Sequence, residues 1–65
     1  MRYEFRIDGD ISETLAKGFP ELEHVVMAGQ TVLYGQVLDE AQVYGLLARF
    51  QALGLRLAEM RRLPE

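Results

Sequence analysis

The chain has 65 residues, 49% of them hydrophobic and 26% charged, with a net charge of −3 and no cysteine. These values describe one small domain over residues 1–65, and they exclude a disulfide-stapled scaffold, a thiolate metal site and, with a single histidine, a His-rich one. No stretch reaches the roughly eighteen apolar residues of a membrane span, and Met1-Arg2-Tyr3-Glu4-Phe5-Arg6 alternates where a signal peptide runs apolar, so a cytoplasmic protein with no membrane partner is expected.

From Arg2 to Ile7 the hydrophobic period is two, which places Tyr3, Phe5 and Ile7 on one face of a first strand and Arg2, Glu4 and Arg6 on the other. Asp8-Gly9 breaks the pattern. Asp10-Ile11-Ser12-Glu13 then matches a capping box, with Asp10 capping a short helix that turns Ile11 and Leu15 inward. Gly18 offers that helix a left-handed stop, and Pro20 cannot continue it. Two β-rich runs follow, Leu22 to Ala28 and Thr31 to Val37, and Gly29-Gln30 between them suits a type II′ hairpin turn.

That turn sets Met27 opposite Val32, Val26 opposite Leu33, Val25 opposite Tyr34 and His24 opposite Gly35. One face of the hairpin then carries Leu22, His24, Val26, Leu33, Gly35 and Val37, and the other Glu23, Val25, Met27, Val32, Tyr34 and Gln36. A second helix starts at the Asp39 cap, with Gln42 completing a capping box and Leu38 placed to staple onto Val43. Val43, Leu46, Leu47, Phe50 and Leu53 recur at helical spacing, and Gly54 with Leu55 forms a Schellman-type stop. Gly45 inside this helix costs about 1 kcal/mol relative to alanine, so close packing against a neighbour is expected there. Arg56 to Leu63 is a last strand, with Ala58 and Met60 inward and Glu59 and Arg61 beside the charges of the first strand.

The order β-α-β-β-α-β folds most simply into a ferredoxin-like α+β sandwich, a four-stranded antiparallel sheet with two helices on one face. Asp8, Asp10 and Glu13 hint at a hard-cation site, but an EF-hand-like loop needs about twelve residues of alternating ligands and this stretch leads straight into a helix, so no metal is expected. His24 is the single histidine, the residue type suited to proton transfer or a pH switch, yet Glu23 beside it points to the opposite face and the sequence places no second acid or nucleophile near it. Filling the space left by Gly35 is its expected role. Arg49, Arg56, Arg61 and Arg62 gather towards the C-terminus, but seven basic residues against ten acids argue against a nucleic-acid partner. No cofactor motif is present.

Met1-Arg2-Tyr3-Glu4, Thr31-Val32-Leu33-Tyr34-Gly35, Leu46-Leu47-Ala48-Arg49 with Leu53-Gly54-Leu55, and Arg61-Arg62-Leu63 make the chain similar to a set of short uncharacterised actinobacterial proteins. The resemblance implies the same order of elements and a bacterial cytoplasmic setting, and no activity, cofactor or site residue. What a lone sandwich does not explain is the outward face of Val25, Met27, Val32 and Tyr34, since a sheet face without helices is polar in a monomer. A domain this short also folds with little margin. The expected function is a non-enzymatic protein-interaction module, homodimeric through its sheet face. The alternatives are a regulatory domain binding a small metabolite such as an amino acid, an unknown protein partner, and a small enzyme using His24.

Overall fold

In the computed structural model, which describes residues 1–65, β1 (Arg2–Asp8), α1 (Glu13–Ala16), β2 (Glu23–Met27), β3 (Gln30–Gln36), α2 (Glu40–Ala52) and β4 (Leu57–Leu63) follow one another. The strands form one sheet in the order β2-β3-β1-β4, antiparallel throughout. Both central strands are therefore flanked on two sides, and β2 and β4 are edges. The folded surface of 4253 Å² agrees with the roughly 4,200 Å² that scaling gives a chain of 7.4 kDa.

Period-two alternation aims Phe5 and Ile7 of β1 and Leu33 of β3 at the helices, and Phe5 and Leu33 lie directly opposite each other. Val43, Leu46 and Phe50 of α2 close over them, with the Phe5 and Phe50 rings edge to face at 5.3 Å. Phe19, which the periodicity of the sequence does not single out, completes the core with its ring 5.0 Å from Phe50. It sits in the connection after α1. Arg49 on α2 lies over the outside of that ring at 4.4 Å, donates to Glu21 Oε2 at 2.9 Å and to the Gly18 carbonyl, and so fastens residues 18–21 against the helix.

The ends of α2 form as capping chemistry dictates. Asp39 Oδ1 accepts from Gln42 N–H at 2.9 Å, and Gln42 Oε1 reaches back to Leu38 N–H. At the other end Leu55 N–H donates to Phe50 C=O and Gly54 N–H to Gln51 C=O, a Schellman pair that requires the left-handed φ of +74° at Gly54. Leu38 does not staple onto Val43: it is 89% exposed, because its backbone, and not its side chain, is what Gln42 holds. Leu53 is exposed as well. Gly45 faces open space, where a Cβ would meet nothing within 4 Å, so no close packing explains it.

Five further expectations are corrected. The cap of α1 is Ser12, whose Oγ accepts from Leu15 N–H at 3.1 Å, and not Asp10; the helix lasts one turn and Gly18 after it is not left-handed. The hairpin turn is Ala28-Gly29, both with positive φ (41° and 81°) as in a type I′ turn, so β2 and β3 pair with a register shifted by two residues: Met27 faces Gln30, Val25 faces Val32 and His24 faces Leu33. A shift of two preserves which side chains share a face. His24 is therefore not over Gly35. That space is filled by Leu22 and the backbone of Glu21, whose carbonyl oxygen would lie 3.1 Å from a Cβ on Gly35. In β4, Leu57 opposes Ile7 and Glu59 opposes Arg6, which leaves Ala58 unpaired in a bulge and not pointing inward in register.

Candidate functional site

The two strand registers lay out the helix-free face of the sheet in rows. Val25, Val32, Arg6 and Glu59 form one row across β2, β3, β1 and β4, and Glu23, Tyr34, Glu4 and Arg61 form the next. Met27, Gln30 and Asp8 lie beyond the first row. The face is thus divided lengthwise, apolar over the β2–β3 hairpin and ionic over β1 and β4.

On the ionic half the charges are paired in a chain. Arg61 Nε donates to Glu4 Oε2 at 3.0 Å, Arg6 Nε to the same oxygen at 3.2 Å, and Arg6 also lies 3.6 Å from Glu59. The Glu4 side chain is only 13% exposed. Its partial burial pushes the carboxyl up, but the hydrogen bonds and charges of Arg6 and Arg61 outweigh that and hold it below the ordinary 4.5. Glu21 is lowered too, first by its own backbone N–H and then by Arg49, against an opposing desolvation.

On the apolar half, the four residues expected as an interface share the helix-free face as foreseen, but unequally. Val25 is 45% and Met27 50% exposed, while Val32 is 4% exposed and Tyr34 half-buried, because strands on either side of β3 shield its side chains. Val26, on the helix side of the same strand, is 54% exposed. The sequence shows Val25-Val26-Met27 as apolar on both faces; what it does not show is that α1 is too short to cover the helix side of β2. With β2 at the sheet edge and its helix side uncovered, all five of its residues are exposed.

His24 lies on that uncovered side, opposite Leu33, with no side-chain hydrogen bond or ion pair. Asp8, Asp10 and Glu13 are not gathered into a group of three ligands. The four arginines do not converge: Arg49 is engaged with Glu21 and Phe19, Arg61 pairs with Glu4 on the helix-free face, Arg62 opposes Tyr3 on the other, and Arg56 precedes β4. No helix is long and apolar enough to cross a membrane.

Comparison with known families gives one match, over residues 2–61, from the first residue of β1 into β4. The chain belongs to the family described as Domain of unknown function (DUF8691). No curated protein and no solved structure gives a significant match. The DUF8691 match reaches all six elements and takes in both rows of the divided sheet face, so this surface falls within the family domain.

Proposed function

We propose that this chain is a small, non-enzymatic interaction module of ferredoxin-like type, cytoplasmic and bacterial in setting, that homodimerises through its sheet. The observation that carries the proposal is the apolar half of the helix-free face, with Val25 and Met27 each about half exposed around Val32 and Tyr34. A solvated sheet face is ordinarily polar, and a contiguous apolar patch on a small domain marks a surface that is covered in use. The neighbouring ionic half already satisfies its charges internally, so covering the apolar half leaves that network in water.

Sedimentation equilibrium across the micromolar range tests this. A reversible dimer is the expected result. A monomer at every concentration defeats the proposal, and so does a dimer that a charge placed at Leu53 or Tyr44, on the far side of α2, disrupts while a charge at Met27 does not.

A further inference from the structure

The second copy is seated by the β2 edge: we infer that two chains pair β2 against β2 antiparallel, with Val25 on the twofold axis, to make one continuous eight-stranded sheet. This rests on the dimer proposed above and specifies its partner surface. The two edges of the sheet differ in how they are defended. Edge strands avoid unwanted pairing with charges, bulges or proline. The β4 edge has Glu59, Arg61 and Arg62 within seven residues and a bulge where Leu57 opposes Ile7. The β2 edge is Glu23-His24-Val25-Val26-Met27, without lysine, arginine, proline or bulge, and with three half-exposed apolar side chains in a row.

Backbone geometry makes this edge self-complementary. Met27 and Gln30 flank a two-residue turn and so exchange both ladder bonds, which turns the backbone groups of Met27, Val25 and Glu23 towards β3. Those of His24 and Val26 then point to the open side, where no bond from a turn, loop or cap reaches them. Paired end to end, His24 meets Val26 of a second copy and Val26 meets its His24, and all four groups on each chain are satisfied. Val25 meets Val25. Glu23 meets Met27 and lies about 14 Å from the other Glu23, beyond the range at which salt leaves like charges repelling. A register with His24 on the axis leaves Met27 beyond the paired strand, and one with Val26 on the axis runs into the Ala28-Gly29 turn.

The area is that of a weak dimer. The chain exposes 4253 Å² over 65 residues, close to 65 Å² each, so the exposed strand and one residue at either end expose roughly 450 Å² per copy, of which edge pairing covers only a part; the total lies below the roughly 1,200 Å² of stable interfaces, in the range of weak, reversible contacts. In the pair the half-exposed side chains of β2 gain neighbours across the seam, Val25 the other Val25 and Met27 the other Glu23 on the helix-free face, and Val26 the other His24 on the helix side that α1 leaves uncovered.

The chain has no cysteine, so single cysteines report the register directly. Directly opposed residues of a non-hydrogen-bonded antiparallel pair have Cα atoms about 4.5 Å apart, inside the range a disulfide spans. Under mild oxidation the Val25→Cys variant is expected to form a covalent dimer at least about tenfold faster than Glu23→Cys or Met27→Cys alone, whereas an equimolar mixture of those two cross-links to a heterodimer. Val26→Pro, which removes an open-edge N–H without touching the β3 ladder, is expected to raise the dissociation constant about tenfold, since twofold symmetry counts the loss twice. Circular dichroism verifies that each variant is folded. A chain that sediments as a dimer while Tyr34→Cys cross-links faster than Val25→Cys overturns the edge pairing and leaves sheet-mediated association standing. Val25→Cys cross-linking without the mixed pair overturns the register, and a monomer that fails to cross-link at all overturns both proposals.

Discussion

Replacing Thr31 by valine sets two physical effects against each other. Thr31 is fully buried, and its Oγ1 donates to the Gly9 carbonyl and accepts from Ile11 N–H, each at 3.1 Å. These two bonds tie the loop between β1 and α1 to the start of β3. Valine has nearly the same shape and is more apolar, so burial alone expects a gain of about 0.8 kcal/mol for the added methyl. Losing the hydroxyl strands one donor and one acceptor, at about 1–3 kcal/mol each when buried. Both bonds are only partly buried, so the lower figure applies and the net loss is about 1–2 kcal/mol. In a domain of this size that lowers Tm by roughly 5–10 °C. The assay pairs thermal unfolding with hydrogen exchange at the Ile11 amide, and Thr31→Ser is the control that gives up a methyl but keeps the hydroxyl. Loss of Ile11 protection in Thr31→Val and its retention in Thr31→Ser are expected. A Thr31→Val protein as stable as the parent, with Ile11 still protected, refutes the reasoning.

Gly45→Ala is expected to stabilise by up to about 1 kcal/mol because helix propensity acts there unopposed, whereas Gly54→Val, which forces a β-branched residue into a left-handed cap, costs about 2 kcal/mol; urea midpoints separate them, and a costly Gly45→Ala contradicts the open space at that position. Ala28→Asn relieves a side chain held at a φ of 41° and is expected to raise stability by about 0.5–1 kcal/mol, which a midpoint unchanged or lowered in urea would contradict. Glu4 has a folded pKa below its ordinary 4.5, so its stabilising contribution is complete above that value and is lost as pH falls through the folded one. Glu4→Gln is therefore expected to be less stable than the parent by about 1 kcal/mol at neutral pH and to converge with it in acid; a gap of constant size down the acid limb rules this origin out.

Local chemistry alone determined much of this protein. Alternation in Tyr3-Glu4-Phe5-Arg6-Ile7 gave β1 and its buried face, and Asp39, Gln42 and Gly54 bounded α2, because periods, caps and stops act over a few residues and are written in neighbouring side chains. The partition of the hairpin into two faces was legible for the same reason and survived a turn misplaced by one residue on each strand, since a register shift of two leaves every face unchanged. Ala28 at positive φ carries no such local signal. Nor does the burial of Phe19 and Thr31, which depends on partners 31 and 20 residues away, Phe50 and Ile11. The same holds for Gly35, which lies under the Glu21–Leu22 crossing, and for the choice between the two sheet edges. Strand order made β2 an edge, a one-turn α1 left its helix side bare, and the charges of β4 were drawn into the Glu4 network. Contacts between distant segments decide which apolar residues are left for a partner, and a sequence read in windows cannot contain them.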